Sequence, residues 1–292
     1  MSEKNPRSRN PLRKASPQVL ALRLAFRTLG TVAPARAASI AERLFTSPPQ
    51  HPIQEKEKEF LATGAPFTVP HGVLTLAAWT WGSGPPVLLM HGWGSRAGRF
   101  RYFVPALVAA GFRAVALDGP GHGLTGGRHA TLPEFAAALT RVAASVGPVR
   151  GYVGHSLGAA SVLFAMMRSV PAAPAVLLAP PADPEFFWKR FVRHLRIPPA
   201  VGSMVQDNLQ RRLGFNWADV DGRAIAKKLD VPLLVVHDAD DEDVTPADGA
   251  AVAAAARQGE FMGTSGLGHR GIMRDAEVVD RSVAFLARHV TR

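Results

Sequence analysis

Gly154-His155-Ser156-Leu157-Gly158 holds one serine between two glycines, after the apolar run Val149 to Val153 and before the helix-compatible stretch Ala159 to Arg168. A strand that turns at once into a helix forces its corner residue into a strained backbone, and side chains two positions before and after it would strike neighbouring main chain. Glycine at both places removes the collision. The corner lifts the Ser156 hydroxyl clear of the sheet edge, and the following helix aims its free N–H groups and positive dipole end at any oxyanion formed there. Taken alone, the five residues also fit a glycine-bounded turn around a buried serine, so the rest of the chain must decide.

The surroundings supply the matching order of elements. Gln54 to Ala62 is charged and helix-compatible, and Phe67 to Pro70 with Val73 to Thr80 reads as a hairpin turning at His71-Gly72. Val87 to Met90 is short and wholly apolar, the pattern of a strand buried on both faces. Strand-like runs at Arg113 to Leu117, Val149 to Val153, Ala175 to Ala179, Pro232 to Val236 and Gly259 to Thr264 then alternate with alanine-rich helical stretches. Such alternation predicts an α/β fold with a mainly parallel central sheet and helices on both faces. The spacing breaks once, between Pro180-Pro181 and Val231, over a stretch of aromatic and basic residues. We expect an inserted helical lid at 182–230, a core at 63–181 and 231–292, and a basic N-terminal arm at 1–62. Phe186, Phe187, Trp188 and Phe191 either form the core of the insertion or line an apolar slot over the serine, together with Trp93.

A serine needs a base to take its proton, and that base needs a carboxylate to fix its tautomer. His269 stands in the glycine-rich loop Gly266-Leu267-Gly268-His269-Arg270-Gly271 after a strand-like run, where open α/β sheets place their sites. Asp238, Asp240, Asp241, Glu242 and Asp243 follow the strand ending at Val236. An acidic cluster of this kind suits a solvated loop, a divalent-cation site or one triad acid among bystanders.

From about residue 67 onward the chain resembles the serine α/β-hydrolase superfamily, with the elbow, His91-Gly92-Trp93-Gly94 and Asp118-Gly119-Pro120-Gly121-His122-Gly123 in that family's order. The family's acid loop often reads H-G-x-x-D-x-x-V-P. Laid over His237, it puts the acid at Asp241, with Asp243 and Asp240 as fallbacks, although Asp238 stands where glycine is usual and Thr245 precedes the proline. The resemblance implies a Ser156–His269–Asp241 triad and an oxyanion hole from the backbone N–H groups of Trp93 and Leu157. It gives Asp118, His122, His91 and His155 the task of holding loops. It also implies hydrolysis of an ester-type acyl bond through an acyl-enzyme, without metal or cofactor, while the aromatic and basic residues of the insertion point to a small substrate with an apolar acyl chain and a neutral or anionic head. Thioesterase, lactonase, peptidase, C–C hydrolase and perhydrolase chemistry share the fold, as do non-catalytic ligand-binding proteins.

The chain carries a net charge of +11 and no cysteine, which excludes a disulfide framework and any cysteine-based metal or redox site. Residues 1 to 43 hold nine basic side chains against Glu3 and Glu42. Such a segment attracts anionic surfaces. Within it Val19, Leu22, Phe26 and Leu29 recur at helical spacing, with Arg23 and Arg27 one turn apart on another face. The helix either packs this stripe on the protein's own core or lies on a membrane surface. The arginines interrupt the run too early for a secretory signal, while the acid-poor start also resembles an organellar transit peptide. No uninterrupted apolar run approaches the length of a membrane span. The expectation is a cytoplasmic protein with peripheral membrane contact through the arm, and no nucleic-acid partner.

Overall fold

Strands β3 (Pro86–Met90) and β4 (Arg113–Leu117) show how the middle of the molecule is built. Leu88, Met90, Val115 and Leu117 face one buried cluster, and the alternating Val87, Leu89, Ala114 and Ala116 face another. Period-two burial on both sides requires helices above and below the sheet. The computed structural model describes residues 16–290 and supplies them. Lys4, Arg7, Arg9, Arg13 and Lys14 of the basic segment lie outside the described residues.

Helices α1 (Pro17–Val32), α2 (Pro34–Thr46) and α3 (Glu55–Ala62) precede the hairpin of β1 (Ala65–His71) and β2 (Leu74–Trp81). After β3 come α4 (Phe103–Ala109), β4, α5 (Leu132–Val146), β5 (Gly151–His155), α6 (Leu157–Arg168) and β6 (Ala175–Leu178). The stretch expected as a helical insertion folds into α7 (Pro184–Leu195), α8 (Pro199–Leu213) and α9 (Gly222–Ala226). The chain then completes β7 (Pro232–Asp238), α10 (Pro246–Ala255), β8 (Gln258–Thr264), the short α11 (Gly268–Gly271) and α12 (Ala276–His289).

The eight strands lie in the order β1-β2-β4-β3-β5-β6-β7-β8. β2 pairs antiparallel with β1 and β4, and every other pairing is parallel. β5 runs two residues later than its apolar run predicts, because its place is set by pairing with β3, where Val87 stands opposite Gly151. The shift carries the strand through His155, so that it ends directly against Ser156.

Ser16, Thr131 and Asp275 cap α1, α5 and α12 by accepting a backbone N–H two or three residues into the helix. Phe26 of α1 is buried, and Val19, Leu22 and Leu29 pack against the same cluster, so this stripe faces the protein's own body. α1 is held there also by Arg23, whose Nε donates to the His194 carbonyl of α7 at 2.9 Å. Among the described residues no helix is long and apolar enough to cross a membrane.

Candidate active site

The parallel strands β3, β5, β7 and β8 end on the same side of the sheet, and each is followed by a loop bearing one component of the site. At the end of β5, Ser156 has φ 54° and ψ −121°, a left-handed conformation that few residues other than glycine adopt. The crowding that demands glycine on either side is explicit. A Cβ at Gly154 would lie 2.5 Å from Ala159 Cα, and one at Gly158 would lie 2.5 Å from the His91 carbonyl oxygen. Ser156 is the N-cap of α6, yet its hydroxyl does not cap the helix and stays free for other partners.

His269 Nδ1 donates to Asp241 Oδ2 at 2.7 Å. This bond fixes the tautomer, leaving the Nε2 lone pair able to accept a proton. Asp241 is sequestered by further donors. His237 Nε2 lies 3.2 Å from the same oxygen, and the Asp243 and Val244 N–H groups each donate to Oδ1 at 2.9 Å. Burial alone would raise this carboxyl, but the two imidazoles and the Val244 N–H outweigh it and hold it well below the usual carboxylate range. His237 has acceptors on its Nε2 side only, in Asp241 and the Val244 carbonyl at 3.2 Å, so Nε2 carries its proton.

Of the fallback acids, Asp240 accepts from the Gly266 N–H at 2.7 Å, and Asp243 lines the cavity. Neither carboxylate pairs with His269. Asp238, the departure from the family's glycine, has a separate task that sequence reasoning missed. It accepts from Thr264 Oγ1 at 2.7 Å and from the Leu267 and Gly268 N–H groups at 3.1 and 2.9 Å, which shapes the loop presenting His269. A carboxylate opposite a glycine-rich loop is the signal that could have found it.

His91, His122 and His155 serve as latches. His91 Nε2 accepts from the Gly119 N–H and His122 Nε2 from the Gly94 N–H, each at 2.9 Å, so the two loops hold one another. His155 Nε2 donates to the His269 carbonyl at 2.8 Å, tying the elbow to the histidine loop. Burial and the neighbouring His269 push His155 down to about 3, and burial pushes His122 down to about 4, so both are neutral donors and acceptors. Asp118 accepts from the Ala97 and Leu124 N–H groups at 2.7 Å and is pushed up to about 6 by burial.

Ser156 and His269 line one cavity of about 710 Å³, together with Trp93 and Leu157. Among the described residues, the backbone N–H groups of Trp93 and Leu157 donate to no protein acceptor, and no hydrogen bond joins Ser156 Oγ to the imidazole. Of the expected pocket aromatics, Trp93, Phe187 and Phe191 line this cavity. Phe186 and Trp188 do not, and the expectation is corrected for both. Helical rotation of about 100° per residue sends neighbours to different faces. Phe186 is left exposed, and Trp188 is buried edge-on against Phe45, with ring centroids 5.1 Å apart. Leu44 and Phe45 of α2 also line the cavity, so the N-terminal helices supply part of its wall. The apolar i, i+4 series Ala37, Ala41, Phe45 was the available sign of that inward face.

A family model described as serine aminopeptidase, S33, matches residues 85–214, from β3 through the elbow to the end of α8. An esterase structure from Pyrococcus furiosus superposes with a TM-score of 0.65 at 18% identity, covering 83% of this chain and 99% of that one. The chain has the α/β-hydrolase fold. Curated relatives match over a shorter stretch of the chain. A serine hydrolase-like protein of Danio rerio is 38% identical over 95 residues, or 31% of this chain and 29% of that protein. A monoacylglycerol lipase of Mycolicibacterium smegmatis is 33% identical over 105 residues, or 33% of this chain and 37% of the lipase. The chain thus spans about a third of the length of these relatives.

Proposed function

We propose that this α/β-hydrolase cleaves an ester-type acyl bond through an acyl-enzyme, with Ser156 as nucleophile, His269 as general base and acid, and Asp241 orienting the imidazole. The observation that carries the reading is the 2.7 Å bond from His269 Nδ1 to the buried Asp241 carboxylate, at the rim of the cavity that Ser156 also lines. Ser156 Oγ attacks the carbonyl carbon while His269 Nε2 takes its proton. The oxyanion is received by the unpaired N–H groups of Trp93 and Leu157, at the positive end of α6. Collapse breaks the bond to the leaving alkoxy group, which His269 protonates, and a water repeats the sequence to release the acid. In unliganded hydrolases the serine–histidine bond is often long and tightens on substrate binding.

The cavity supports an acyl chain with a neutral or anionic head. Its volume is that of a small-molecule site, walled by Phe187, Phe191, Leu209 and Phe215, with Arg99, Arg190 and Arg270 also lining it. α7 and α8 supply most of these aromatic and aliphatic contacts, which is the part a lid over the serine would play. Ser156→Ala is expected to abolish hydrolysis of short p-nitrophenyl esters and labelling by a fluorophosphonate, both read against unchanged thermal melting. Labelling that persists in this variant refutes the assignment. The free Ser156 hydroxyl also supports a second reading, a ligand-binding protein without turnover, which predicts no fluorophosphonate labelling of the folded wild-type chain.

A further inference from the structure

Among the described residues twelve large apolar side chains remain exposed, and five of them lie on α1 and α2: Leu20, Leu24, Val32, Ile40 and Leu44. α1 is apolar on two sides. Its inward side carries Phe26 and is consumed by packing, whereas Leu20 and Leu24, one turn apart on the opposite side, stand 54% and 57% exposed. A soluble helix ordinarily fills that outer face with polar residues, and a second apolar stripe needs a partner of its own.

The charge around the stripe identifies the partner's sign. Arg27, Arg36 and Arg43 are exposed, and no described carboxylate pairs with any of them. Glu42, the sole acid between residues 16 and 46, is already held by Arg212 of α8 at 3.0 Å. The surface is therefore apolar and basic together, the combination that binds anionic bilayers, where leucines enter the headgroup boundary and arginines meet phosphate. It also leads to the site, since Leu44 is 41% exposed and at the same time lines the cavity shared by Ser156 and His269.

We infer that α1 and α2 form a docking face for an anionic phospholipid surface, from which the cavity is loaded past Leu44. The loading step rests on the hydrolase reading above, while the docking does not. Residues 1–15 carry five basic side chains against Glu3 and few apolar ones, the same sign of charge as this face. A second copy would set one basic face against another.

The test is co-sedimentation of the full chain with phosphatidylcholine vesicles, with and without about one third phosphatidylglycerol, at low and high salt. Wild type is expected to sediment with the anionic vesicles, less so at high salt, and weakly with the neutral ones. The Leu20→Glu/Leu24→Glu variant is expected to lose binding about tenfold or more, as is Arg27→Glu/Arg36→Glu/Arg43→Glu. Both should hydrolyse a soluble short-chain ester at the wild-type rate and melt as wild type does. Equal binding to neutral vesicles, wild-type binding by the leucine variant, or a dimer in light scattering that the leucine variant abolishes would each overturn the inference. Loss of soluble-ester hydrolysis in the wild type would instead sink the hydrolase reading and leave the docking result standing.

Discussion

Asp241→Asn separates the proposed triad from its alternatives more sharply than any other single change. Oδ2 receives His269 Nδ1–H at 2.7 Å and faces His237 Nε2 at 3.2 Å, while Oδ1 receives two backbone N–H groups at 2.9 Å each. An asparagine can satisfy one pair only. If its oxygen keeps the two main-chain donors, its NH2 group points at two imidazole N–H groups, and donor meets donor. His269 escapes by moving its proton to Nε2, which removes the lone pair that must accept the Ser156 proton. Loss of the correct tautomer costs about a thousand- to ten-thousandfold in kcat. That corresponds to about 4–5.5 kcal/mol of transition-state stabilisation. KM should change little, because the carboxylate lies behind the imidazole and lines no part of the cavity. The assay is initial-rate hydrolysis of a short p-nitrophenyl ester, with the rate of fluorophosphonate labelling as an independent readout. Asp240→Asn and Asp243→Asn serve as controls and should stay within a few-fold of wild type. An Asp241→Asn enzyme within about tenfold of wild type, or slower turnover in either control than in Asp241→Asn, would refute the reasoning.

Acid stability gives a second test. His155 binds its proton near pH 3 when folded and near 6.5 when unfolded, so its contribution is complete above about pH 6.5 and is lost as pH falls toward 3, by ~1.4 kcal/mol per pH step at most. His155→Gln, which keeps a donor for the His269 carbonyl, should show a shallower loss of urea-midpoint stability between pH 7.5 and 4.5, and equal slopes would refute the assignment. The comparison also separates His155 from Asp118, whose buried carboxyl is displaced in the opposite direction. Trp188→Ala should cost about 3–5 kcal/mol in urea unfolding, because its ring is buried against Phe45 and Phe191, while Phe186→Ala should change stability by under about 0.5 kcal/mol. The reverse ranking would contradict their placement on α7.

What the amino-acid order reveals here depends on how local the determinant is. The strained corner at Ser156 is written in two glycines within five residues, and the order of strands follows from apolar runs that need no partner to be recognised. Asp241 is less legible, because five acids share one loop and only the approach of β8 and its following turn decides which of them meets His269. Asp238 shows the difficulty well: in sequence it is one more acid in the cluster, and in space it braces the opposite loop. The aromatic series 186–188 illustrates another limit. Three adjacent side chains on a helix cannot share a face, so treating them as one pocket wall overlooks the rotation that sends them to surface, cavity and core. The packing of α1 and α2 over α7 and α8 joins segments about 170 residues apart, as between Glu42 and Arg212, and no local pattern encodes that distance.

The bond from His155 to the His269 carbonyl spans 114 residues of chain and anchors one reactive loop to the strand bearing the other. Much of the cavity wall, by contrast, comes from α2, α7 and α8, which belong to neither loop. Substitutions among those helices can therefore redraw the outline of the acceptable molecule while leaving the spacing of the reacting atoms alone, a division of labour that lets specificity drift without rebuilding the chemistry.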